Sequence, residues 1–250
     1  LSYHVIGKRA RWLILDPSYG IMFDEKALND FYSEISSSEG MEIATFQNMV
    51  ASLFADNRID HDIKEYRLGS NSWKKLRDEV APVSRFLEFN HVEANRVRFP
   101  LDNHTPDCWL MSSNGNDRGL EVTIESGREK YHLATELNKE GMGRGFVGLQ
   151  DDDPQSEFNH SMSRPRVMYS SEQALEATKQ GITRCLSRKN QPEKYRHIYC
   201  LLIQAHLNAL PRDRWDAIKE ELVREANALS FQEIHVIGDV GNDVWGFQIK

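Results

Sequence analysis

No apolar run in the chain approaches the ~18 residues a membrane-crossing helix requires. The longest, such as Ile198 to Ala205, fall far short. Cysteine is scarce. Cys108, Cys185 and Cys200 include no CxxC pair, and their odd number gives no disulfide framework, so they read as reduced thiols of a cytoplasmic protein. Positive charge is in deficit, with 31 Lys and Arg against 38 Asp and Glu and a net charge of −7. That argues against a protein that coats nucleic acid through bulk charge. It leaves open an enzyme that gathers carboxylates around a metal and keeps only a local basic surface. There is no HExxH, no Cys/His set at zinc spacing and no GxSxG, so zinc-protease, zinc-finger and serine-hydrolase chemistry lack local support. The opening Leu1-Ser2-Tyr3-His4 has no basic stretch leading into an apolar one, so no secretory leader is expected.

The 250 residues suffice for a sizeable core, and their periodicity changes along the chain. Arg11 to Leu15 reads as a strand stopped by Asp16-Pro17. Asp24 reads as the cap of a helix to about Ser36, with Leu28, Phe31, Tyr32 and Ile35 on one face. A second helix is expected near Glu42 to Ala55. A third should run from after Asn71 towards Phe89, kinked or broken at Pro82. Residues 1–70 therefore form a mainly helical N-terminal region, and residues 71–250 a second unit. In that unit Arg96–Pro100, Cys108–Met111 and Leu120–Ile124 read as a three-stranded meander, with the Gly- and Asn-rich segment 112–119 as a turn. A helix from about Arg128 to Lys139 ends at Gly141. Residues 141–165 read as a long polar loop. Ser171 opens a helix to about Arg188. A strand at 198–205, a helix at 213–229 and strands at 233–237 and 244–249 complete an α/β order.

Carboxylates fall where such a meander can bring them together. Asp107 starts one strand and Glu121 stands near the start of the next, and Glu121, Thr123 and Glu125 share a strand face. Two carboxylates from neighbouring strands, with a backbone carbonyl, make an oxygen-rich site suited to Mg²⁺ or Mn²⁺.

Pro106-Asp107, a short turn, Glu121-Val122-Thr123 and a following helix resemble the core of the PD-(D/E)xK nuclease superfamily, over roughly residues 73–205. The resemblance implies a restriction-endonuclease-like mixed sheet flanked by helices. It implies Asp107 and Glu121 as metal ligands, an acidic residue from the first core helix (Glu79, then Glu88), and hydrolysis of phosphodiesters in nucleic acid, DNA first. A homodimer or a larger defence or repair complex falls within the same implication. The departure is Thr123, which stands where the family carries Lys and cannot supply a positive charge. Lys189 is the preferred replacement. Lys130, Lys179, Gln173 and Gln180 are the other candidates. Arg184, Arg188, Lys194 and Arg196 form the densest basic patch, suited to a phosphate backbone or to a solvated helix end. Gly141 to Gly145 follows a helix and reads as a loop, Asp151 to Asp153 as a solvated acidic tip, and His104 as a loop residue near the site. The alternative function is a catalytically inactive nuclease fold acting as an interaction module.

Overall fold

The computed structural model describes residues 25–54, 60–102, 104–142, 148–164, 170–195, 198–238 and 245–250. The expected strand at 11–15, the capping role of Asp24, the glycine-rich stretch around Arg144, and Arg166 and Arg196 lie outside the described residues.

The chain begins with helix α1 (Glu25–Ile35), a two-residue strand β1 (Met41–Glu42), and helices α2 (Ile43–Leu53) and α3 (Asp60–Leu68). A short helical turn α4 (Trp73–Lys75) runs through a π-helical turn (Leu76–Val80) into α5 (Ala81–Phe89). Pro82 sits in the first turn of α5. Lacking an N–H, it cannot bond the carbonyl four residues back. The wider turn immediately before it accommodates that loss, so the helical path is not broken at Pro82 but continues through it to Phe89.

The expected meander follows as β2 (Arg96–Arg98), β3 (Cys108–Met111) and β4 (Arg118–Ile124), all antiparallel. Helix α6 (Gly127–Glu140) ends at Gly141, whose φ of 71° is the left-handed conformation that closes a helix without a β-carbon clash. The polar segment after it is not wholly irregular, because it contains α7 (Gln155–Ser163). Helix α8 (Ser171–Lys189) starts one residue after its cap. Ser170 accepts from the Gln173 backbone N–H, and the Gln173 side chain answers at the Ser170 N–H. Strand β5 (Tyr199–Ala205), helix α9 (Asp216–Ala226) and strands β6 (Glu233–Gly238) and β7 (Gly246–Gln248) complete the order.

The protein is thus α/β, with a seven-stranded mixed sheet in the order β1 to β7 and a helical N-terminal region. Strands β4, β5 and β6 are parallel, and the other pairs are antiparallel. Strand β5 is buried on both faces, as a parallel strand covered by helices must be. Cys200 and Leu202 face one core with Leu28, Phe31, Phe46, Val83 and Phe86 from the N-terminal helices. Leu201 and Ile203 face the other, with Ile182 and Leu186 of α8 and Ile218 and Leu222 of α9. The helices of residues 25–89 therefore pack into the same sheet that carries the meander. No helix among the described residues is long and apolar enough to cross a membrane.

Candidate functional site

Strand β3 is too short to cover its neighbour. Its pairing with β4 stops at Cys108 opposite Leu120, while β4 runs on to Ile124 beside β5. Among the described residues, the stretch of β4 from Glu121 to Ile124 has no partner strand on that side. A cleft of about 680 Å³ opens there between the N-terminal helices on one side and α6 and α8 on the other. Continuing the β3–β4 register by one residue sets Asp107 opposite Glu121 on the same sheet face. The Asp107 carboxylate replaces the missing strand, because its Oδ2 accepts the Val122 backbone N–H at 2.8 Å.

Helix α8 aligns with β4 residue by residue. Lys189 Nζ donates to Glu121 Oε1 at 2.6 Å, Cys185 Sγ lies 3.9 Å from Thr123 Oγ1, and a β-carbon at Gly181 would collide with the Glu125 carboxyl. Four helical residues rise about 6 Å and two strand residues about 6.6 Å, so positions 181, 185 and 189 of the helix match 125, 123 and 121 of the strand. The cation expected beside Glu121 therefore comes from the last turn of α8, 68 residues away in sequence.

Burial governs the electrostatics. Glu121 is 4% exposed, and its Oε2 is a buried oxygen without a hydrogen-bond partner. Burial, with the Glu121 charge added, pushes the Asp107 carboxyl up to about 6. Glu79 rises to about 7, again chiefly through burial, against the pull of Lys75 2.7 Å away and with the Asp107 charge adding to the rise. Burial disfavours the Lys189 ammonium, but the Glu121 carboxylate more than offsets this and holds it above its usual range. The Tyr195 ring lies 5.3 Å from the same ammonium.

All five residues expected to carry chemistry, Glu79, Asp107, Glu121, Thr123 and Lys189, line this cleft. Of the other candidates, Lys130 and Arg188 line it too. Lys179 is held by Glu176 and Glu221, the Gln173 side chain accepts from the Ser170 N–H in the α8 capping box, Gln180 bonds Glu176, and Glu88 is not among the lining residues. His104 is exposed and paired with Asp102. Asp151, Asp152 and Asp153 do not form a free acidic tip. Asp151 accepts from Arg188 at 3.0 Å and caps α6 through the Arg128 N–H, while Arg184 bonds Asp152 and Asp153. Half of the expected basic patch is therefore neutralised within the chain. Lys194 is exposed, 5.1 Å from the Tyr195 ring, and is not among the lining residues.

Sequence reasoning passed over Arg67, Lys74, Arg77, Arg128, Gln191 and Gln204, which also line the cleft. Arg128 carried a signal, since it opens the helix that follows the acidic strand. The others come together only through tertiary packing.

Among the described residues no three His, Cys, Asp or Glu side chains gather as a metal cage. The donor set is two carboxylates. That suits Mg²⁺, which keeps several waters and commonly takes one or two carboxylates together with substrate phosphate. Glu121 Oε2 is buried without a hydrogen-bond partner among the described residues, which suits it to accept a cation. Comparison with protein-family models, curated proteins and solved structures found no match to this chain.

Proposed function

We propose that the chain is a divalent-metal-dependent phosphodiesterase acting on nucleic acid, DNA first, with a restriction-endonuclease-like core of the PD-(D/E)xK kind. The observation that carries this reading is the Lys189–Glu121 contact at 2.6 Å in the cleft that Asp107 also lines. It returns a cation to an acidic strand whose own third position is Thr123.

Bound between Asp107 and Glu121, Mg²⁺ or Mn²⁺ would supply Lewis acidity towards a phosphodiester oxygen and acidify a water. The protein's part is positional. Lys189 engages Oε1 of Glu121 and leaves Oε2 for the cation. The Val122 N–H holds Oδ2 of Asp107 and fixes that carboxylate at the strand edge. The Lys189 ammonium has three protons, and one engages Glu121, so it can also donate to an anionic oxygen of substrate or to the attacking water. Glu79, held by Lys75, adds a carboxyl whose proton equilibrates near neutrality, a position suited to proton transfer.

Cleavage of supercoiled and linear DNA in Mg²⁺ tests the reading. Wild type should cleave, and Asp107→Asn, Glu121→Gln and Lys189→Met should each lose roughly 100-fold or more in rate with unchanged circular dichroism. Equal rates in wild type and variants would refute it. A second reading, a non-catalytic interaction module on the same fold, draws on the burial of the Glu121–Lys189 pair, since such a pair also serves a purely structural role. It requires wild type itself to be inert with Mg²⁺.

A further inference from the structure

Six of the cations that line the cleft differ in what they touch. Lys189 is matched by Glu121, Arg188 by Asp151 and Arg77 by Asp78. The side chains of Arg67, Lys74 and Arg128 have no carboxylate partner among the described residues. Arg67 bonds only the neutral Asn138 side-chain oxygen, at 3.4 Å. Arg128 donates to the Asp153 backbone carbonyl at 2.7 Å and to the Gln155 amide, and its guanidinium stacks 3.7 Å from the Phe158 ring centroid. Lys74 is exposed. Arg128 is thus fixed in place by neutral acceptors and an aromatic face, contacts that order a side chain without cancelling its charge, while Arg67 has a single long contact to a neutral amide. They come from α3, the turn α4 and α6, on separate borders of the cleft.

In a chain of net charge −7, three uncancelled cations around a cleft, one of them preorganised, are a local anion site against the overall field. We infer that Arg67, Lys74 and Arg128 form the track for the phosphodiester backbone flanking the scissile phosphate. The helical N-terminal region thereby becomes part of the nucleic-acid interface, and the end of α8 around Arg184 and Lys194 does not. This rests on the phosphodiesterase reading for the identity of the ligand, but it concerns binding and not cleavage.

The test is fluorescence anisotropy of the full chain with a labelled oligodeoxynucleotide, single-stranded in one arm and duplex in the other. It is run in EDTA and titrated with salt. Lys74→Ala, Arg67→Gln and Arg128→Gln should each weaken binding about 3- to 10-fold at low salt. Each should also lower the slope of log K against log salt by about 0.7–0.9, the value of one lost phosphate contact. Arg128→Lys should keep the wild-type slope, which a fold defect would not do. Arg184→Gln and Lys194→Ala should stay within about twofold of wild type. The arm with the larger wild-type slope identifies the strandedness of the substrate. Wild-type slopes in the cleft variants, a slope loss confined to Arg184 or Lys194, or no salt-dependent binding by wild type would overturn the inference. Binding that follows the expected pattern in a protein that never cleaves would uphold the track and remove only the activity.

Discussion

Asp107 shows at the scale of one residue how a buried carboxylate burdens the fold that holds it. Its carboxyl stands at about 6 in the folded chain against about 3.8 when unfolded, because burial and the Glu121 charge disfavour ionisation. The folded state therefore holds the proton more tightly. That contribution to stability is fully present below about pH 3.8 and is lost as pH rises through about 6. Asp107→Asn keeps an acceptor for the Val122 N–H but never carries the charge. In EDTA at pH 8 the variant should exceed wild type in stability by about 1–3 kcal/mol, and below pH 4 the two should converge. Urea denaturation across that range measures it, and a less stable variant at pH 8 would show that the carboxylate is structural. Glu79, at about 7, follows the same sign over a window extending further towards neutrality.

Among elements, α8 against β4 decides the site. Gly181 is the contact that lets the helix approach, since any β-carbon there meets the Glu125 carboxyl. Gly181→Ala gains about 1 kcal/mol of helix propensity yet should destabilise the protein by about 1–3 kcal/mol through overpacking. It should also slow cleavage by lifting Lys189 from Glu121. A more stable variant with full activity would show that the helix approach tolerates displacement. The same element marks what the sequence could disclose. The meander, α6 with its Gly141 stop and α8 were legible because β-branched alternation, glycine at the end and serine at the start are local signals, although the cap of α8 is Ser170, one residue before the expected Ser171. Helices α3 and α7 were not, since Asp60–Leu68 offers only Ile63, Tyr66 and Leu68, and Gln155–Ser163 only Phe158 and Met162, as apolar anchors. Pro154 at the start of α7 was the usable hint. Lys189 was selected from the basic passage into the next strand, whereas its contact with Glu121 depends on how α8 crosses the sheet. The pairing of Arg184 and Arg188 with Asp151 to Asp153 bridges about 30 residues of chain and has no local signature.

Across the whole molecule, an acidic protein builds a cleft where a short strand leaves its neighbour uncovered, and places both carboxylates and uncancelled cations along it. The helices before residue 90 fill one face of the sheet and also border that cleft, so folding of the N-terminal region and formation of the site are coupled. What would unite these features is the divalent cation proposed at Asp107 and Glu121. Calorimetric titration of the metal-free chain with Mn²⁺ near pH 7.5 addresses it most directly. One ion should bind wild type, with Asp107→Asn and Glu121→Gln each weakened by roughly 10-fold or more. Undiminished Mn²⁺ binding by both variants, or none by wild type, would contradict a metal site at these two carboxylates.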